Sequence, residues 1–420
     1  MQAKRWLWLL LSLLTAVTAW TYMTRVLAPW EYYFNVEAGT MKASLGDLYS
    51  PWSGSRALLL HGKNPYGPEV THEIQMAFYG HDIVQSYEPR AKIIDEQRFA
   101  YPVYLVFLLA PTVYMSFERL QAVAPLILAA AVGGGVWLWI SFLRWRRPAI
   151  MASATALFVL ASPQIAQGLR LRQLGLIVGC LLALAVWLVG RDSLVLGGAV
   201  LALSTLKPQM IALPLSWFLL WIVGDWSKRW RLLVSFCATL VLLVGAGELI
   251  LPGWPRDFLA GLAAYRKYGP FSSLLQLALG NSAGAVVAAV VVAGLLGWGW
   301  MNRKHSADSP EFAFTLAPFF AGTALAFPLI PPFNQVLLIL PALIVVRDWG
   351  RMPTPARAAF AVCVSWPWIA SLALLASRPD LKSLRAIPLL PSVLVLFLPF
   401  LLPILLVARR NPISASGSEI

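Results

Sequence analysis

Apolar runs recur along almost the whole of this chain, and they constrain it more than any motif does. They lie at about 6–27, 121–143, 149–165, 174–190, 193–206, 208–224, 232–250, 283–301, 312–329, 333–346, 357–376 and 388–408. Many approach or exceed the ~20 residues a helix needs to cross a bilayer. Only 12% of residues are charged and 59% are hydrophobic, whereas a soluble domain carries about 25% charged residues. In hydrocarbon each backbone polar group must be satisfied inside its own segment, which favours helices. The expected fold class is therefore an all-α polytopic membrane protein. It has about 12 transmembrane helices and a single integral domain over residues 1–420.

The basic residues set the expected orientation. The net charge is +14, but Lys and Arg fall in short clusters between apolar runs. That distribution fits orientation signals and anionic lipid, not a nucleic-acid stripe. One further run, Tyr101 to Met115, decides the parity, because a crossing there flips every later loop. The run is short and interrupted by Pro102 and Pro111, so it reads as an interfacial or re-entrant element. The clusters Arg144/Arg146/Arg147, Lys228/Arg229/Arg231 and Arg303/Lys304 then face the cytoplasm with Lys4/Arg5, as the positive-inside rule prefers. Residues 28–120 become a large first extracytoplasmic loop, and 121–408 the helix bundle. The first apolar run continues to Leu27 and reads as an uncleaved span although Val17-Thr18-Ala19 resembles a cleavage site. Cys180, Cys237 and Cys363 all lie in apolar runs, and no disulfide framework is implied.

Chemistry on this topology collects in the outer loops. Asp47 is the first acid of an island that ends in Asn64-Pro65-Tyr66. A lone carboxylate at a membrane surface suits a general base, and equally a helix cap or turn residue. Ser53 is positioned to cap a short helix through Ala57 to Leu60, with Gly62 closing it. Arg170, Arg172 and Gln173 stand at the outer end of one span, and Lys207-Pro208-Gln209 at a tight junction between two others. Cations at such depth need a partner, and phosphate is a good one; snorkelling to headgroups is the alternative. Trp254 to Gly269, carrying Arg266 and Lys267, has the pattern of an interfacial amphipathic helix, either an anchor or a grip on a lipid phosphate. His61, His72, His81, Glu73, Asp82, Asp95 and Glu96 share the first loop, but no pair has a tight metal-ligand spacing and no metal is expected. There is no phosphate-binding glycine loop, dinucleotide fingerprint or serine elbow, so no cofactor is expected.

These motifs resemble glycosyltransferase family 87, membrane-embedded enzymes of the GT-C type that include polyprenol-phosphate-mannose-dependent α-mannosyltransferases. The resemblance rests on Asp47-Leu48-Tyr49, on Leu60-His61-Gly62-Lys63-Asn64-Pro65-Tyr66 and on an intact Lys207-Pro208-Gln209. Tyr101-Pro102-Val103, Arg172-Gln173 and Pro331-Pro332-Phe333-Asn334-Gln335 follow the family pattern in altered form. The resemblance implies a GT-C-like fold and a hexosyltransferase of the plasma membrane, active on its extracytoplasmic face. The donor is a sugar, mannose foremost, on polyprenyl phosphate, and the acceptor a glycolipid or glycan. Asp47 is then the base of an inverting displacement. Lys207, Arg170, Arg172, Gln173, Arg266 and Lys267 are candidates for the donor phosphate. Tyr49, Trp52, Asn64, Tyr66, Asn334 and Gln335 are candidates for acceptor or sugar contacts. The rival classes are a transporter or flippase of a lipid-linked substrate, which calls for ionisable residues deep in several spans, and a lipid-linked glycan ligase or polymerase.

Overall fold

The computed structural model describes residues 2–29, 44–81, 96–265, 272–329 and 331–377. Arg266, Lys267, Asp82, Asp95 and the run at 388–408 lie outside these residues. Among the described residues every regular element is helical. We number the helices α1 Gln2–Tyr22, α2 Tyr49–His61, α3 Pro68–Tyr79, α4 Leu105–Leu109, α5 Phe117–Phe142, α6 Ala149–Leu160 and α7 Pro163–Leu171. Then come α8 Gly175–Val189, α9 Leu194–Leu203, α10 Pro208–Gly224, α11 Trp226–Ile250, α12 Trp254–Tyr265, α13 Leu274–Leu279 and α14 Asn281–Asn302. The last are α15 Pro310–Ala326, α16 Ile339–Arg347 and α17 Thr354–Ser377.

Among the described residues four helices are long and apolar enough to cross a bilayer: Arg5–Val26, Phe117–Phe142, Trp226–Ile250 and Asn281–Asn302. The expected span at 149–165 is instead a pair, α6 and α7, bent by 69°. Pro163 starts the second member; the residue before a proline is pushed out of helix, so the break falls at Ser162. Gly175–Val189, Leu194–Leu206, Pro208–Gly224 and Pro332–Arg347 are apolar but shorter. Among the described residues, length alone thus marks out fewer full crossings than the apolar runs there suggest.

A continuous core joins α2, α4, α5, α8, α10 and α15, with Trp217, Phe312 and Phe319 wholly buried at its centre. Burying side chains of this size stabilises by roughly 1.5–3 kcal/mol each. The run at 101–115 forms only α4 and a 3-10 turn at Ala110–Thr112, far short of the ~20 residues of a crossing. Val103, Leu105 and Val106 are buried while Tyr114 is 81% exposed. Tyr104 Oη meets Thr205 Oγ1 at 2.8 Å, fastening this element to the turn before Lys207. The island helix begins earlier than the Ser53 cap implied: α2 starts at Tyr49, with Pro51 in its first turn, and closes at Gly62 with φ 62°.

Candidate active site

Three chain segments meet at one point. The first is the turn at Gly46-Asp47. Gly46 has φ +73°, and a Cβ there would stand 2.9 Å from the Leu171 carbonyl oxygen. Only glycine combines that conformation with so close an approach. The Asp47 N–H donates to the same carbonyl at 2.8 Å, satisfying one of the open acceptors at the end of α7. The Asp47 carboxylate is thereby held over the end of that helix.

The second segment is the end of α7. Arg172 takes a left-handed conformation, φ 56°, and the Gln173 N–H returns to the Gly168 carbonyl at 2.9 Å. This closure normally uses glycine, and a larger residue held there costs on the order of 1–3 kcal/mol. The Arg172 side chain offsets the cost by donating to the carbonyls of Gln121 (3.1 Å) and Arg170 (3.0 Å). Arg172 is therefore a strut beneath the Asp47 turn. Arg170 stands half-buried beside it. Gln173 is projected inward and is 5% exposed.

The third segment is the junction at Lys207. Pro208 opens α10, and Lys207 has φ −127°, ψ 85°, the extended backbone expected before proline. Its side chain is 7% exposed and lies 5.3 Å from the Phe333 ring centroid and 5.9 Å from that of Tyr101, both within cation–π reach.

Gln173 joins the other two. Its Nε2 donates to Asp47 Oδ2 at 2.6 Å, and its Oε1 accepts from Lys207 Nζ at 2.5 Å. Tyr101 Oη donates to the same Oε1 at 3.4 Å. The bare Gly175 leaves room for this arrangement: a Cβ there would stand 3.2 Å from Lys207 Nζ and 3.5 Å from Asn334 Oδ1. Asn334 is 5% exposed and its Oδ1 has no hydrogen-bond partner. A buried unsatisfied acceptor costs about 1–3 kcal/mol, so Asn334 is suited to receive a ligand hydroxyl. Burial lowers the Lys207 ammonium to about 8, with the Asp47 charge acting in the opposite direction. Burial, then the Asp47 charge, raises the Tyr101 phenol.

The remaining candidates divide. Gln335, adjoining Asn334, is buried with it. Tyr49 and Trp52 sit in an aromatic cluster with Phe117, and Trp52 Nε1 donates to the Thr112 carbonyl at 3.1 Å. Asn64 Nδ2 donates to Asp257 Oδ2 at 2.7 Å, binding the island to α12, and Asn64 Oδ1 accepts from the Tyr66 N–H at 2.9 Å. Tyr66 Oη donates to the Tyr101 carbonyl at 2.6 Å. The Leu-x-Gly-x-Asn-Pro-Tyr motif thus fixes Tyr101, which in turn contacts Gln173. Sequence reasoning did not assign Tyr101 or Phe333 to the site, although each stands in a quoted motif. Glu248, an acid in the last turn of α11, accepts the Gly253 N–H at 2.7 Å and caps the end of that helix. Among the described residues no group of three or more His, Cys, Asp or Glu comes together.

A cavity of about 410 Å³ runs along α6 and α16. Gln164 and Gln335 line one end, Arg147 the other, and apolar side chains such as Phe158, Leu338 and Leu343 lie between.

No curated protein matches the chain. The profile of glycosyltransferase family 87 matches residues 99–328, more than half of the chain. Tyr101, Gln173 and Lys207 fall inside that range, whereas Asp47 and Asn334 fall outside it and join the site through the contacts above. The chain belongs to glycosyltransferase family 87 and is a membrane glycosyltransferase.

Proposed function

We propose that this protein transfers a hexose, mannose by family resemblance, from a polyprenyl-phosphate carrier to a glycolipid or glycan hydroxyl. The reading places the reaction on the extracytoplasmic face of the plasma membrane. One observation carries it: a half-buried carboxylate and a buried ammonium stand two hydrogen bonds apart across Gln173.

The displacement uses both groups. The acceptor hydroxyl oxygen bonds to the anomeric carbon as its proton passes to Asp47. The bond from that carbon to the phosphate oxygen breaks, and the leaving polyprenyl phosphate keeps the electron pair. One attack from the face opposite the leaving group inverts the configuration. The departing phosphate gains a negative charge, which Lys207 is suited to stabilise in a water-poor site. Asn334 is suited to orient a sugar hydroxyl. The largely apolar cavity that Gln335 helps to line, next in sequence to Asn334, supports a donor with a hydrocarbon chain.

Defined donors in proteoliposomes test this reading. Radiolabel is expected to move from polyprenyl-phosphate hexose and not from nucleotide-diphosphate hexose, with the opposite anomeric configuration in the product. Equal use of the nucleotide sugar, or retained configuration, would contradict it.

A further inference from the structure

We propose that Gln173 is a positioning residue whose amide holds Asp47 and Lys207 in place while keeping them from pairing directly. The inference rests on the reading of Asp47 as base and Lys207 as phosphate ligand. It goes beyond that reading by giving Gln173 a task other than phosphate binding.

The argument starts from donor and acceptor chemistry. An ammonium only donates and an ionised carboxylate only accepts, so a bridge between them must accept at one end and donate at the other. A neutral primary amide does both within one rigid plane. Here it does so in the single possible sense, oxygen toward Lys207 and nitrogen toward Asp47. The backbone closure at Arg172 and the contact from Tyr101 fix the amide further.

Removing the spacer would let the flexible lysine reach the carboxylate. A direct pair favours both charged forms. The carboxylate would then become a weaker base, and the ammonium, still protonated, would have its charge compensated by the carboxylate before any phosphate arrived. An enzyme needing both groups separately is served by a neutral spacer between them. Among the described residues, the ionisable groups on the elements around the pair are Tyr101 on the 101–104 turn and Arg170 and Arg172 at the end of α7; the Pro332–Leu338 turn and the first turn of α8 contribute none. The arginines stay charged through the working range and the Tyr101 phenol is raised, so among these groups a direct Asp47–Lys207 pair is expected to show in the limbs of a pH profile.

The test is the pH dependence of transfer from polyprenyl-phosphate hexose by full-length wild type, Gln173→Ala and Gln173→Leu at equal protein levels. For Gln173→Ala, kcat/KM is expected to fall at least ~10-fold while the acid limb moves down and the alkaline limb up, each by ~1 pH unit, the low end for an opposite charge in contact. Gln173→Leu keeps the bulk that separates the charges, so its rate falls with smaller limb movement. Loss of rate in Gln173→Ala with both limbs fixed would overturn the spacer and leave a packing role. If Gln173→Ala does not fold, Gln173→Leu decides alone: a lower rate with the limbs displaced in the same senses would support the proposal, and a wild-type rate, or a lower rate with both limbs fixed, would overturn it. An Asp47→Asn variant separates the two readings. If it retains activity and the acid limb, the base reading fails; if it is inactive while the Gln173 limbs stay fixed, only the spacer fails.

Discussion

Lys207 is buried beside two aromatic rings and the Gln173 carbonyl, and a bound anion would offset the cost of that burial. Its ammonium titrates at about 8, held down mainly by burial. A phosphate needs the protonated form, which is present below that pH and lost as pH rises through it. The KM for a polyprenyl-phosphate donor is therefore expected to rise above about pH 8. Lys207→Arg should abolish that rise, because a guanidinium stays charged. Lys207→Ala should lower donor kcat/KM by ~10- to 10²-fold, corresponding to the ~1.5–3 kcal/mol of a hydrogen bond to a charged group. Lys63→Ala is the control, since Lys63 pairs with Glu69 and Glu73 at an exposed position and should leave the rate unchanged. Equal losses in the two alanine variants would remove the phosphate role from Lys207.

At the scale of elements, two interruptions build the site. The 69° bend between α6 and α7 brings the end of α7 under Asp47. The stunted run at 101–115 brings Tyr101 to Gln173. The second interruption was legible in the sequence, because Pro102 and Pro111 break a run already too short to cross. The first was legible only as Pro163. The closure that follows it uses Arg172 where glycine is usual, so no turn signal marked it. The topology that follows is testable by cysteine labelling at Arg146 and Lys228 in intact cells. Neither position should react with an impermeant reagent until the membrane is opened. Labelling of both from outside would mean that the 101–115 run crosses.

Across the whole molecule, helical class and membrane character follow from hydrophobic composition, which tertiary contacts do not alter. The pairing of Asp47 with Gln173 and of Gln173 with Lys207 spans 126 and 34 positions of sequence. Residue types alone named all three members but not their connection, because a hydrogen bond between distant segments depends on how those segments pack. The same limit applies to Asn64 and Tyr66. Their motif was visible, but their engagement with Asp257 and the Tyr101 carbonyl required the fold. The central claim is that in this assembly Asp47 is the base that takes the proton of the acceptor hydroxyl attacking a lipid-linked sugar. The most direct measurement compares wild type with Asp47→Asn, reconstituted at equal levels, for transfer of radiolabelled hexose from polyprenyl phosphate. Asparagine keeps the size and can still fill the turn, so the variant should remain folded. It cannot take a proton at neutral pH, so the rate should fall at least ~10²-fold. Retention of most of the wild-type rate would contradict the account.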